Sequence, residues 1–305
     1  MIHRYGRGPR SVFMSAISAF VAIAYTASIA LSLIVGLTGG YESPLIGLRY
    51  LSMFLPAFSV LIVSTKLNEH SRADWQRFPL KYLPVAVFLI PGVLHLVALP
   101  VSIAVQGPLQ WQDWLTPQAD GLYHTPASRG WGVITVQGLA GHIILNAVVG
   151  LIIASFMSFF EEIGWRAWLL PRLMDRMSVR RAVTLTSIIW AFWHLPFQLS
   201  GIQHIDGISP MELAVIMPIG IIVAGLILGW LWARTESIWL VSIAHGALNS
   251  LSQYAFKFMK DSVTTDTDIS VFGSGFLALL IIGVVLLWRG AGSRTADSRE
   301  YVVDA

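Results

Sequence analysis

Apolar runs long enough to cross a bilayer recur eight times along this chain, and no other feature constrains its fold as much. A helix rises about 1.5 Å per residue, so about 20 predominantly apolar residues cross a hydrocarbon core about 30 Å thick. Runs of that length fall at about residues 11–36, 46–65, 82–104, 135–168, 182–200, 212–232, 237–256 and 271–288. Composition agrees: 55% of the 305 residues are apolar, 12% are charged and the mean hydropathy is +0.67, which excludes a soluble domain. The expected fold is all-α, a polytopic membrane helix bundle of about eight transmembrane helices, multi-pass in the cell membrane. The first run is too long for the h-region of a signal peptide, although Ala22-Ile23-Ala24 is a weak cleavage pattern, and it is read as the first span.

Charge sets the expected orientation. With the N-terminus cytoplasmic, 15 Lys and Arg fall on the inner side and 4 on the outer (Arg49, Arg129, Lys257 and Lys260), with Arg166 set aside. An even number of spans then puts both termini in the cytoplasm. The net charge of +3 lies in short loops between apolar runs, so it reads as an orientation signal and not as a nucleic-acid surface. The outer segment at about 105–130, with Trp111, Trp114, Pro117 and Pro126, is expected along the interface, and the tail from Ser293 to Ala305 reads as a short end. There is no cysteine, which excludes disulfides, thiolate metal sites and a cysteine nucleophile.

Within the fourth run, Phe159-Phe160-Glu161-Glu162-Ile163-Gly164-Trp165-Arg166 sets two adjacent carboxylates in an apolar, aromatic stretch. Ionisable groups at membrane depth are costly and are functional candidates by default. On a helix Glu162 and Arg166 share a face and can pair, while Glu161 points about 100° away and is left for other work. The fifth run carries Trp190-Ala191-Phe192-Trp193-His194, and the seventh His245-Gly246-Ala247-Leu248-Asn249. Measured along a helix from the nearest inner arginine, Glu161 and His245 lie about 16 Å deep and His194 about 20 Å. Three separate runs thus bring ionisable groups to one level. His142 and Asn146 repeat the His-x-x-x-Asn spacing, but His142 falls about 45 Å from Arg172, near the outer face. His95, between Pro91 and Pro100, is expected to pack or to bond backbone freed by proline.

These residues resemble the large family of intramembrane proteases that includes the type II CAAX prenyl endopeptidases and the bacterial CPBP proteins. Its Glu-Glu-x-x-x-Arg motif is met at Glu161, Glu162 and Arg166. Its Phe-x-x-x-His motif is met with Trp190 in the Phe position and His194. Its His-x-x-x-Asn motif is met at His245 and Asn249. The resemblance covers about residues 130–255 and leaves the first three spans outside. It implies N-terminal helices and an outer segment at 1–130, a catalytic core at 131–256, and a last helix and tail at 257–305.

Two mechanisms fit the residue set. In one, Glu161 is a general base for water, Glu162 and Arg166 balance charge, His194 positions the water, and His245 with Asn249 stabilises the oxyanion; no cofactor is needed. In the other, Glu161, His194 and His245 hold zinc. The resemblance leans towards the first. His-Glu-x-x-His and the serine motifs Gly-x-Ser-x-Gly and Gly-x-Ser-Gly are absent. The expected activity is an endopeptidase acting on a membrane-associated or lipid-modified protein or peptide, with the bilayer as its other partner. The competing readings are a catalytically silent protein for bacteriocin immunity or scaffolding, and a proton-relaying transporter, which would show paired repeats that this chain lacks.

Overall fold

Residues buried at every fourth position mark the inward face of the first helix. The computed structural model describes residues 10–67, 75–106, 116–117, 122–124, 133–203, 208–252 and 265–290. Its helices are α1 (Arg10–Gly36), α2 (Leu55–Leu67, entered through a 3-10 stretch Ile46–Phe54), α3 (Leu83–Gln106), α4 (Val136–Glu162), α5 (Leu170–Met174), α6 (Val179–Trp193), α7 (Leu195–Leu199), α8 (Pro210–Thr235), α9 (Ile238–Leu251) and α10 (Thr265–Gly290). A π-helical segment, Ile163–Leu169, joins α4 to α5. Three two-residue strands, β1 (Thr116–Pro117), β2 (Tyr123–His124) and β3 (Val133–Ile134), pair antiparallel in that order. Trp111, Trp114, Pro126 and the tail from Ser293 lie outside the described residues.

Among the described residues five helical stretches are long and apolar enough to cross a membrane: Ser15–Gly36, Ile46–Leu67, Leu80–Val101, Ala147–Met174 and Pro210–Thr235. Ile238–Leu251 and Gly273–Arg289 are apolar but shorter. The run expected at 182–200 is α6 and α7 with a break at His194. Pro196 causes it, because it has no N–H to offer the carbonyl of Phe192 four residues back. The chain is a helical membrane protein.

It forms two compact units, Met1–Gln76 with Phe160–Gly225, and Arg77–Phe159 with Leu226–Ala305. In the first, α1 buries Ala16, Phe20, Ala24, Ser28 and Ser32 while Ile29, Leu33 and Ile34 face outward, as lipid contact allows. Tyr25 donates to the Ile189 carbonyl at 2.7 Å and Ser28 to that of Trp193 at 2.9 Å, and Gly36 packs on Ser200. Residue numbers rise together on both sides, so α1 runs parallel to α6 and α7. Phe54 against Phe160 and Pro56 against Gly164 set the start of α2 parallel to the passage from α4 into the π segment.

In the second unit, α3 buries the four-residue repeat Ala86, Ile90, Leu94 and Ala98 and packs against α9 and α10. His95 Nδ1 bonds the Pro91 carbonyl at 2.6 Å. It is a backbone bond, as expected, but to the proline's own carbonyl and not to one that proline leaves without its donor. Gly150 of α4 packs on Ser250 of α9 and Ser155 on Gly246, so these two helices run antiparallel. Small residues at each crossing let the backbones approach, as membrane helices require.

Candidate active site

The two motif carboxylates close α4, and directly after them the chain winds as a π-helix, a rare form that recurs at functional sites. Trp165 and Trp168 are fully buried here, and Phe20 meets them edge-on and stacked at 5.4 and 4.7 Å. Gly164 is required at its place, since a Cβ there would sit 2.5 Å from Pro56 Cβ. Arg166 Nη1 donates to Glu162 Oε1 at 2.8 Å, and neither side chain is more than 1% exposed. The pairing predicted from the four-residue spacing is present. Nε and Nη2 of Arg166 have no hydrogen-bond acceptor among the described residues; the guanidinium lies 4.4 Å from the centre of the Trp190 ring, a cation–π contact.

Trp190 is the residue whose role sequence reasoning missed. Its indole Nε1 donates to Glu161 Oε2 at 2.8 Å, a bond that phenylalanine, the motif's residue here, cannot make. Its own carbonyl, four residues before His194, accepts from His194 Nδ1 at 2.9 Å. A carbonyl only accepts, so Nδ1 carries the proton and Nε2 is the acceptor of the neutral ring. The Trp190 ring also meets the imidazole edge-on at 5.5 Å. Glu161, Arg166 and His194 are therefore gathered on one indole. The one sequence signal was the departure from the motif itself.

His245 and Asn249 belong to the second unit, on α9. His245 is 3% exposed, and Asn249 Nδ2 donates to the buried Ser158 Oγ at 3.3 Å. Ser158 stands on α4, four positions before Glu162. Beside His245, Gly246 lies so close to the backbone of Ser155 that no side chain fits between them. His142 and Asn146 fall on α4, and their side chains lie outside the described residues. Among the described residues no three His, Asp or Glu side chains gather as a metal-holding group, and Glu161 Oε2 already accepts from an indole N–H. An apolar groove of about 250 Å³ lies beside α7, lined by Ile29, Ser32, Leu33, Pro196, Leu199 and Ser200.

Residues 140–251 match the type II CAAX prenyl endopeptidase, Rce1-like family, and the match takes in all three motifs. Over these residues the chain is similar to that family. Among curated proteins, CAAX prenyl protease 2 of Methanococcus maripaludis is 23% identical over an alignment of 304 residues, covering 94% of this chain and 96% of that protein. That similarity extends into the first three spans, which carry none of the motifs.

Proposed function

We propose that the chain is an intramembrane endopeptidase that hydrolyses a peptide bond in a membrane-associated, lipid-modified protein or peptide, with residues 131–256 as its catalytic core and Glu161 as general base. The observation that carries this reading is the division of labour between adjacent carboxylates. Glu162 is committed to Arg166. Glu161 is 3% exposed and is held through Oε2 by Trp190, while its Oε1 accepts no hydrogen bond from a described residue. A carboxylate held at one oxygen can take a proton at the other.

In the reaction, water adds to the peptide carbonyl carbon as Glu161 takes its proton. The proton then passes to the departing nitrogen as the C–N bond breaks, giving a carboxylic acid and an amine. His194 orients the water through Nε2, and His245 and Asn249 donate to the developing oxyanion. The matched family and the Methanococcus maripaludis relative are named for prenylated CAAX tails, which supports a lipid-modified substrate. The bundle crosses the membrane eight times with both ends in the cytoplasm, supported by the 15 to 4 charge count.

The deciding experiment is cleavage of a prenylated CAAX-type peptide by the purified protein, with and without a strong chelator. Glu161→Gln keeps volume and hydrogen bonding but removes proton acceptance, so turnover falls about 100-fold or more with the fold intact. Chelation leaves the parent rate unchanged. Equal cleavage by Glu161→Gln would reject Glu161 as the base, no cleavage by the parent would favour a catalytically silent protein, and activity lost to chelator and restored by zinc would reject the glutamate mechanism.

A further inference from the structure

Gln198 is fully buried, and neither Nε2 nor Oε1 of its carboxamide has a hydrogen-bond partner among the described residues. Burying an amide without partners is costly, and an apolar side chain of the same size would be more stable at that position. The position is not arbitrary. Gln198 lies one turn beyond His194, and its backbone N–H bonds the His194 carbonyl at 3.3 Å, so the turn is regular and the two side chains share a face. Helical side chains tilt towards the N-terminus, which leans the carboxamide back over the turn that holds His194. Trp190, His194 and Gln198 thus form a stripe at four-residue intervals, and the first of them holds Glu161. The other face of α7, with Pro196, Leu199 and Ser200, lines the apolar groove, so the carboxamide points away from it.

We infer that Gln198 binds substrate: Oε1 accepts from the N–H, and Nε2 donates to the C=O, of one peptide unit beside the scissile bond. This rests on the endopeptidase reading and adds to it a contact outside the three motifs. A planar group offering one donor and one acceptor matches the two halves of a carboxamide. A prenyl chain offers neither, and a phosphate or carboxylate offers acceptors alone.

The test uses full-length protein in detergent, a prenylated CAAX-type peptide, and a series of that peptide in which one backbone N–H at a time is replaced by an ester oxygen. In Gln198→Leu the melting temperature is unchanged or higher, KM rises about 5- to 30-fold and kcat stays within about 3-fold, as expected for the loss of one or two hydrogen bonds. At one position of the series the parent loses activity on ester replacement and Gln198→Leu loses none. Gln198→Met repeats the measurement should the branched side chain fail to pack. Parent-like kinetics in these variants, or an ester penalty that persists in them at every position, overturns the role of Gln198 and leaves the endopeptidase reading standing. No cleavage by the parent overturns both.

Discussion

Trp190 donates to Glu161 and faces the charge of Arg166 through its indole, and accepts from His194 through its backbone carbonyl, so one residue orients three members of the site. Phenylalanine keeps the apolar body and removes the donor. Trp190→Phe is therefore expected to keep the melting temperature within a few degrees, lower kcat about 3- to 10-fold and leave KM nearly unchanged, because a loosened base misaligns attack more than binding. Unchanged kcat would make the indole contact incidental. Arg166→Ala should act on the fold itself. It leaves Glu162 buried and uncompensated, a loss of about 3–5 kcal/mol, and adding Glu162→Leu should recover much of the folded yield by removing the stranded charge. A single variant as stable as the parent would count against the pair. The Glu162–Arg166 pair was legible in the sequence because its partners are four residues apart on one helix. The Trp190–Glu161 bond spans 29 residues and two elements, and no local pattern reports such a contact.

Whole helices were legible where apolar length alone decides them, as in Ser15–Gly36 and Pro210–Thr235. Their internal irregularities were not. A π segment over Ile163–Leu169 differs from an α-helix by where its carbonyls find donors, and packing of Trp165 and Trp168 around Phe20 has no counterpart in periodicity. Close approaches are equally hidden, since a glycine in a hydrophobic run says nothing of what it touches. Gly246 shows the consequence. A methyl group there meets the backbone of Ser155, and backbone cannot rotate away as a side chain can. Gly246→Ala is expected to push α9 from α4, costing about 1–3 kcal/mol, and to lower turnover by displacing the adjacent His245. Gly273→Ala on α10, where a new Cβ meets nothing within 4 Å, is the control: stability should hold or rise slightly. Matching behaviour of the two variants would remove the close packing at Gly246 as a constraint on the site.

Across the molecule, the alternation expected of eight crossings makes a demand on every packed pair: spans of like parity run parallel and spans of unlike parity antiparallel. Three packed pairs can be set beside that demand. α1 runs parallel to α6 and α7 through Tyr25, Ser28 and Gly36, the start of α2 runs parallel to the end of α4 through Phe54 and Pro56, and α4 and α9 are antiparallel through Gly150 and Ser155. Loops that the charge count puts on one side also meet: Arg77 pairs with Glu236 at 2.7 Å. Such relations are unchanged if the whole bundle is turned over, so the proposed sign rests on the 15 to 4 excess of Lys and Arg. The absence of cysteine makes the sign measurable with single introduced thiols. An impermeant maleimide added to intact cells should label Arg129→Cys and leave Arg176→Cys unlabelled until the membrane is opened. Labelling of Arg176→Cys alone in intact cells would invert the proposed topology and put both ends of the chain outside the cytoplasm.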